Sequence, residues 1–168
     1  MQWRWARAHD SIDITGEGGA LATRKSGDKN WLYRPAVCGE VLQAEGEAYA
    51  EFTWVSGFRL MVGVARAGVD PSSVERGLYK TTDGWMYECE DGVHYHNDSD
   101  GAWASGEPQG IKVGETVGLL LRRGSLSVHI GGRQVGVMCT GLSGELVWAA
   151  DLYYSGASVR IARKPPPA

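Results

Sequence analysis

The sequence predicts an all-β domain folded as a sandwich or a barrel, and three observations carry this prediction. Apolar residues recur at every second position through much of residues 113–161, which is typical of strands that bury one face. Glycine makes up 24 of the 168 residues, which favours many turns between short strands. Gly131-Gly132 stands between two such runs, where a two-residue hairpin needs positive φ at both central positions. We therefore expect an antiparallel meander with one face in solvent.

The first third of the chain predicts several short strands. Apolar residues alternate with polar ones, or form a brief run, in residues 3–5, 12–14, 20–24 and 37–42. Residues 25–30 are polar and predict a loop. Arg34-Pro35 stands just before the last of these strands, so we expect both residues in a loop.

The middle of the chain predicts two longer strands, one short helix and two short strands. Residues 48–54 alternate strictly and predict a half-buried strand. The apolar run at residues 60–65 is typical of a central strand covered on both faces. At the next segment, Asp70 can cap free amides, Pro71 suits the first helical position and Gly77 can close the end. We expect a connecting helix of a turn or two there, followed by short strands at residues 84–88 and 94–96.

Length and charge limit the functions that the chain can have. Its 168 residues are enough for one domain with a hydrophobic core, which we place at residues 1–163, before a proline-rich tail at residues 164–168. The formal net charge is −3 and the basic residues are scattered, so nucleic acid is not expected as a partner. No stretch is long and apolar enough to span a bilayer, so no membrane partner is expected either.

Cysteine usage predicts a reducing compartment. The cysteines are Cys38, Cys89 and Cys139, and an odd number at wide spacing does not make a disulfide framework. The amino terminus lacks the hydrophobic core of a secretory signal. We therefore expect a cytoplasmic or nuclear location, and a chain that acts as a monomer or as one domain of a larger protein.

No metal, cofactor or catalytic site is expected. The acidic, cysteine and histidine residues at 88–96 lack a second pair at ligand spacing, and residues 97–101 lack the distal glutamate of a calcium loop. No nucleophile elbow is present. Glu88 and Glu90 are not accompanied by the pattern of the sandwich glycosidases. The sequence therefore does not predict an enzyme.

Aromatic residues at strand ends are the more informative set. Tyr153 and Tyr154 end a predicted strand before Ser155, and successive strand side chains face opposite ways. We therefore expect one tyrosine in the core and the other exposed. Tyr79 follows the predicted helix in another loop, and Arg34 lies in a third. Aromatic and arginine side chains on rigid edges are typical anchors for a peptide.

The order of these motifs resembles the SPRY (B30.2-type) domain family. The second half contains, in order, G-x-x-V-G-L-L-L, G-S-L-S-V-H-I, G-x-x-x-G-V, G-x-L-V-W-A-A-D-L and G-A-S-V-R-I. Upstream, G-E-A-Y-A-E-F-T-W, R-L-M-V-G-V-A and D-G-W-M-Y stand in the expected order, so that residues 47–161 are covered. Ile130-Gly131-Gly132 departs from the aromatic and Asn-Gly-like turn usual in the family, so the chain resembles a divergent subfamily.

This resemblance implies a concanavalin-like jelly-roll sandwich of two antiparallel sheets with one short connecting helix. It also implies a non-catalytic protein–protein interaction module, which binds a short peptide segment of a partner protein on loops at one end of the sandwich. By similarity to the peptide-binding SPRY adaptors, the pocket falls on Arg34, Pro35, Ala36, Tyr79, Tyr153, Tyr154 and Ser155.

Two other functions stay open. The same sandwich supports carbohydrate-binding lectins, in which exposed tryptophan stacks on sugar faces. The residues of such a site here would be Trp85, Trp103, His94, His96 and Asn97. The other possibility is a structural role in a larger assembly, with Trp3 and Trp5 docked on a neighbour.

Overall fold

The structure is a computed structural model that describes residues 2–27 and 30–168, and its regular structure is almost entirely β. In these residues the strands are β1 Trp5–Ala8, β2 Ile12–Thr15, β3 Leu21–Arg24, β4 Tyr33–Cys38, β5 Leu42–Gln43, β6 Glu47–Ser56, β7 Leu60–Arg66, β8 Gly84–Glu88, β9 His94–His96, β10 Ser99–Asp100, β11 Ser105–Gly106, β12 Thr116–Arg122, β13 Ser125–Ile130, β14 Arg133–Cys139, β15 Glu145–Tyr153 and β16 Ser158–Ala162. Three single turns of 3-10 helix lie at Glu17–Gly19, Pro71–Ser73 and Leu78–Lys80.

The strands form two antiparallel sheets packed face to face. The first sheet has the order β1-β4-β15-β7-β8-β9-β10, and β5 pairs with β15 beside this path. The second sheet has the order β11-β14-β13-β12-β6-β16-β3-β2. Neither sheet closes on itself, so the molecule is a sandwich rather than a barrel. The predicted all-β sandwich of two antiparallel sheets is confirmed.

The main core lies between the two sheets and is built around large aromatic side chains. Phe52 of β6 has its ring centroid 6.2 Å from that of Trp5 and 5.9 Å from that of Trp148. All three side chains are at most 2% exposed. Burying a large apolar side chain stabilises the fold by roughly 1.5–3 kcal/mol, so this cluster joins the sheets.

The predicted meander is present, with its hairpin where the glycines stand. Ile130 of β13 pairs with Arg133 of β14, and the two residues between them, Gly131 and Gly132, have φ of 62° and 76°. Positive φ at both central positions matches the right-handed twist of the strands. The sequence pattern therefore predicted this turn correctly.

One part of the meander differs from the prediction, because β15 is buried on both faces. Its residues Val147, Ala149 and Asp151, expected on the solvent side, are at most 1% exposed. The segment of residues 69–80 covers this outer face, with Leu78 in a second hydrophobic cluster together with Val147 and Ala149. A strand with a second layer over it has no solvated face.

The predicted connecting helix is shorter than its end signals indicate. Asp70 accepts a hydrogen bond from the Ser72 amide at 3.0 Å, and Pro71 starts the turn as predicted. The turn ends after Ser73, whose hydroxyl donates to the Asp70 carbonyl. Such local side-chain bonds favour caps over helix interiors. Gly77 does not close this turn but precedes the next 3-10 turn, with φ of 96°.

The loop predicted at Arg34-Pro35 is wrong, since both residues belong to β4. This strand pairs with β15 along its length, and Pro35 lies opposite Asp151. Proline is tolerated because β1 ends at Ala8, opposite Ala36, and the His9 amide that follows needs only the Pro35 carbonyl, to which it donates at 2.9 Å. All six residues of β4 are buried, so the strand lacks the alternation by which a half-exposed strand is recognised.

The structure forms no disulfide bond among its cysteines. Cys38 and Cys89 are buried thiols, and Cys139 is partly buried. Across residues 2–27 and 30–168, no helix has the length and apolar character needed to cross a membrane.

Candidate functional site

Seven aromatic rings lie in contact where β15 ends and β7 begins, and they continue onto the outer face of the first sheet. We call this set the aromatic row. Its members are Tyr95, Tyr79, Tyr33, Tyr153, Trp31, Tyr154 and Phe58. The centroids of neighbouring rings lie 3.5–6.4 Å apart, so they form one continuous aromatic cluster.

Two members of the row are more than half exposed. Trp31 is 56% exposed and Phe58 is 59% exposed, and their ring centroids lie 6.4 Å apart. Trp31 comes just before β4, and Phe58 lies in the turn between β6 and β7. Adjacent exposed aromatics of this size make this surface the candidate interaction site.

Neither Tyr153 nor Tyr154 is in the core, and both are partly buried. The expectation of one buried and one exposed tyrosine is therefore wrong. Tyr153 ends β15, whereas Tyr154 has φ of 84°, a left-handed conformation that is rare for residues other than glycine. The positive φ ends the alternation of the strand and lays the Tyr154 ring on Trp31, with the ring centroids 3.5 Å apart and the planes at 5°.

A buried arginine fixes the chain on both sides of Trp31. The Nη1 atom of Arg24 donates to the carbonyls of Leu32 at 2.6 Å and Leu152 at 2.7 Å. Its Nη2 atom donates to the Asn30 carbonyl at 3.1 Å. Arg24 has no exposed surface. A planar guanidinium can serve several acceptors at once, so Arg24 ties the Trp31 segment to the end of β15.

A buried carboxylate fixes Tyr79. The Oδ1 and Oδ2 atoms of Asp151 accept hydrogen bonds from the backbone amides of Leu78 at 2.8 Å and Tyr79 at 3.0 Å. Burial raises the pKa of Asp151 to about 7, although its two amide bonds act in the opposite direction. The 3-10 turn that carries Tyr79 is thus held on the outer face of β15.

Tyr33 forms the floor of the row. Its ring centroid lies 5.1 Å from that of Tyr79 and 4.7 Å from that of Tyr153. Its hydroxyl donates to Oε2 of Glu88 at 2.7 Å. Glu88 is 1% exposed, and burial raises its pKa. Because the Tyr33 hydroxyl already has a buried partner, only the face of its ring supports the row.

The structure brings together four of the seven residues predicted for the pocket. Tyr79, Tyr153 and Tyr154 belong to the row, and the hydroxyl of Ser155 accepts a hydrogen bond from the Gly27 amide at 3.2 Å beside it. Residues 79 and 154 are far apart in sequence, and Tyr33 and Tyr153 connect them in space.

The other three predicted residues do not present a loop to a partner. Ala36 has no exposed surface and packs in the main core, and Pro35 is buried in β4. Arg34 is 5% exposed, and its Nη1 lies 3.6 Å from Oε2 of Glu75, which is 67% exposed. Among the described residues, Nε and Nη1 of Arg34 are buried without a hydrogen-bond partner. Within the described part of the chain, Glu75 is the one acidic side chain paired with Arg34.

Sequence reasoning missed Trp31 and Phe58, the two most exposed rings of the row. Each stands where an apolar side chain is unexpected. Trp31 follows a polar run, and Phe58 follows Gly57 in a turn between two strands. Large aromatics in turns bounded by polar residues or glycine are the signal that would have found them.

The four tryptophans named for the two alternative functions are already engaged inside the molecule. Trp3 and Trp5 are 5% and 2% exposed and pack in the main core, so they cannot dock on a neighbour. Trp85 stacks on His96 at 4.5 Å, and its ring lies 4.8 Å from the Arg66 guanidinium. Trp103 is partly buried against the core. These contacts take up the ring surface that a sugar would need.

Two further features bear on catalysis and metal binding. On the second sheet, the Ser127 hydroxyl lies 3.0 Å from Nε2 of His129. The Nδ1 atom of His129 is buried without a partner among the described residues, so no carboxylate orients the ring as in a catalytic triad. Within residues 2–27 and 30–168, no three His, Cys, Asp or Glu side chains are grouped to hold a metal ion.

Solved structures share this fold, although the sequence comparisons find nothing. No protein-family model matches the chain, and no curated protein matches it. The SPRY domain of human HERC1 is 19% identical with a TM-score of 0.76, and the match covers 96% of this chain and 97% of that one. The PSpry domain of TRIM65 is 12% identical with a TM-score of 0.70, over 98% and 93%.

A human SPRY domain is also similar, with 17% identity, a TM-score of 0.69 and coverage of 91% and 95%. At these identities the likeness is one of fold. It spans nearly the whole of each domain, so the predicted jelly-roll sandwich of the SPRY type is confirmed.

Proposed function

We propose that this chain, which has the SPRY-domain fold, is a non-catalytic protein-interaction module that holds a short, extended peptide segment of a partner protein on the aromatic row. SPRY domains are typically protein-interaction modules. The observation that carries the proposal is the pair Trp31 and Phe58, each more than half exposed and in contact with the other and with Tyr153.

Aromatic rings are suited to this role because they bring large contact area at little cost in side-chain entropy. Interface residues that contribute most to affinity are enriched in tryptophan, tyrosine and arginine. Trp31 and Phe58 supply apolar area. Tyr79, Tyr153 and Tyr154 add hydroxyl groups at the edge of that area, where an extended peptide presents its backbone.

The row is held in place before any ligand binds. Arg24 fixes the Trp31 segment, Asp151 fixes Tyr79, and Glu88 fixes Tyr33. A surface whose side chains are already ordered loses less entropy on binding. These buried polar groups therefore contribute to binding by holding the rings in place, and they do not contact the peptide themselves.

The proposed site keeps Tyr79, Tyr153, Tyr154 and Ser155 and adds Trp31 and Phe58. Pro35 and Ala36 are left out as contact residues, since their side chains are buried. Arg34 is left out as well, since it is 5% exposed and already paired with Glu75. We place the module in the cytoplasm or nucleus, because its three cysteines are free thiols.

The test is selection of a random linear peptide library on the immobilised protein. Selected peptides should bind at least tenfold more weakly to Trp31→Ala than to the parent protein. Val113→Ala is the matched control, because Val113 is an exposed apolar residue, 51% exposed, outside the row. If selected peptides bind both variants as well as they bind the parent, the row is not the binding surface.

A further inference from the structure

We infer that the ligand of the aromatic row is a basic, proline-rich segment in the polyproline II conformation. This inference rests on the proposed function of the row and names the class of peptide that fits it. Three features of the row support it: its backbone, its hydroxyl groups and the charge at one end.

The backbone around the row offers no strand edge to a ligand. Trp31 precedes β4, Phe58 lies in a turn, Tyr79 is in a 3-10 turn, and Tyr154 has positive φ. A peptide cannot extend a sheet at such positions. Its contacts must go to side chains, and a polyproline II segment suits this because it needs no backbone partner of its own.

The row presents hydroxyl groups that no described residue engages in a hydrogen bond. The hydroxyls of Tyr79, Tyr95, Tyr153 and Tyr154 bond to none of the described residues, in contrast to that of Tyr33. A proline-rich peptide has carbonyl acceptors but few amide donors. Apolar rings with hydroxyl donors at their edges are therefore complementary to it.

Carboxylates near Tyr79 and Tyr95 favour a ligand peptide with basic residues at this end of the row. The negative charge of Asp98 raises the pKa of Tyr79, and the charges of Asp91 and Asp100 raise that of Tyr95, in each case in addition to the larger effect of burial. All three carboxylates are exposed. Asp98 is paired with Lys80 at 3.8 Å, but no ion pair engages Asp91 or Asp100 in the described part of the chain.

The chain itself contains a segment with this chemistry, Arg163-Lys164-Pro165-Pro166-Pro167. In the molecule Arg163 is held away from the row by Glu40 and by the ring of Trp3. A labelled peptide ARKPPPA with this sequence is therefore a suitable probe. Its matched controls are ARKAAAA, which lacks the prolines, and AEEPPPA, which reverses the charge.

The experiment measures binding of the three peptides to the whole chain by fluorescence anisotropy. We expect ARKPPPA to bind at least tenfold more tightly than ARKAAAA and several-fold more tightly than AEEPPPA. Trp31→Ala should weaken ARKPPPA at least tenfold, and Asp91→Asn with Asp100→Asn should remove most of the preference over AEEPPPA. Equal binding of ARKPPPA and ARKAAAA would overturn the inference, as would undiminished binding to Trp31→Ala.

The peptide library separates this inference from the proposed function. If peptides that depend on Trp31 are enriched in proline next to lysine or arginine, both are supported. If such peptides are selected but carry no proline, the interaction site stands and the polyproline ligand is wrong. If no selected peptide depends on Trp31, the proposed function fails and this inference fails with it.

Discussion

The carboxylate of Asp151 accepts the backbone amide of Tyr79 at 3.0 Å from inside the protein. Asp151 lies on β15, between β4 and β7, and its other oxygen accepts the Leu78 amide. One buried side chain therefore positions a surface ring that is 72 residues away in sequence. This bond links the stability of the fold to the shape of the aromatic row.

Replacing Asp151 by asparagine tests that link. An amide side chain has one acceptor oxygen, and its NH₂ group would face a backbone N–H, so one of the two bonds is lost. We expect Asp151→Asn to lower the free energy of unfolding by about 1–3 kcal/mol, the cost of an unsatisfied buried group. Denaturant unfolding measures this. Asp98→Asn, at an exposed carboxylate, should change stability by less than about 0.5 kcal/mol, and equal effects of the two variants would contradict the assigned role.

The same carboxyl group predicts how stability depends on pH. Burial raises the folded-state pKa of Asp151 from 3.8 to about 7, so between these values the folded state binds more protons than the unfolded state. The free energy of unfolding must then fall as pH rises from about 4 to about 7. Glu88, whose pKa is also raised by burial, acts in the same direction.

Unfolding curves from pH 4.5 to 7.5 check this sign. The contribution of Asp151 is on the order of 4 kcal/mol at most, from about 1.4 kcal/mol per pKa unit. It should be absent in Asp151→Asn, so the stabilities of the two proteins should converge as pH rises. Parallel curves for the two proteins over this range would show that Asp151 is ionised normally in the fold.

Arg24→Lys should release the segment that carries Trp31. An ammonium group donates from one point and cannot reproduce the fork that reaches Leu32, Leu152 and Asn30. We expect a loss of about 2–4 kcal/mol in stability, since buried carbonyls are left unpaired, and faster amide exchange near residue 31. Arg160→Lys, at an exposed position of β16, is the control and should leave both measurements unchanged. Unaltered exchange near Trp31 in Arg24→Lys would show that the arginine does not fix this segment.

Trp31→Ala with Phe58→Ala should leave the fold nearly as stable as the parent protein. Both rings are more than half exposed, and surface substitutions usually change stability by about 0.5 kcal/mol or less. A fall in melting temperature of only a few degrees is expected. A collapse of the melting transition would mean that these rings hold the fold together and are not a binding surface.

Gly63→Ala should disrupt the first sheet. A Cβ at Gly63 would lie 1.9 Å from the Trp85 carbonyl oxygen across the pairing of β7 with β8, and a backbone atom cannot move away without breaking the ladder. We expect a loss of more than about 3 kcal/mol or no folded protein, judged by far-UV circular dichroism and denaturant unfolding. At Gly68 an added Cβ meets nothing within 4 Å and φ is not positive, so Gly68→Ala should be tolerated. Equal stability of the two variants would contradict the close approach of β7 and β8.

Strands that bury one face could be predicted from the sequence, whereas strands buried on both faces could be predicted only in part. Alternation identified β6, β12 and β13, and the apolar run identified β7. The alternation pattern did not predict β4, and it predicted a solvent-exposed outer face for β15 that is in fact buried. Residues 69–80 form an additional layer over that face, and no local pattern encodes the position of this layer. The sequence predicted the start of the helical turn at Asp70 correctly but not its end, where the Ser73 hydroxyl donates to the Asp70 carbonyl.

The aromatic row shows where local reasoning stops. The sequence by itself determined the all-β class, the meander and its Gly131-Gly132 turn, because these depend on side-chain alternation and on backbone angles set within a few residues. Only the tertiary structure decided that Trp31, Phe58, Tyr79 and Tyr154 share one surface. Their meeting depends on the order of strands in a sheet and on two buried polar side chains, Arg24 and Asp151, each of which bonds to a residue far away along the chain.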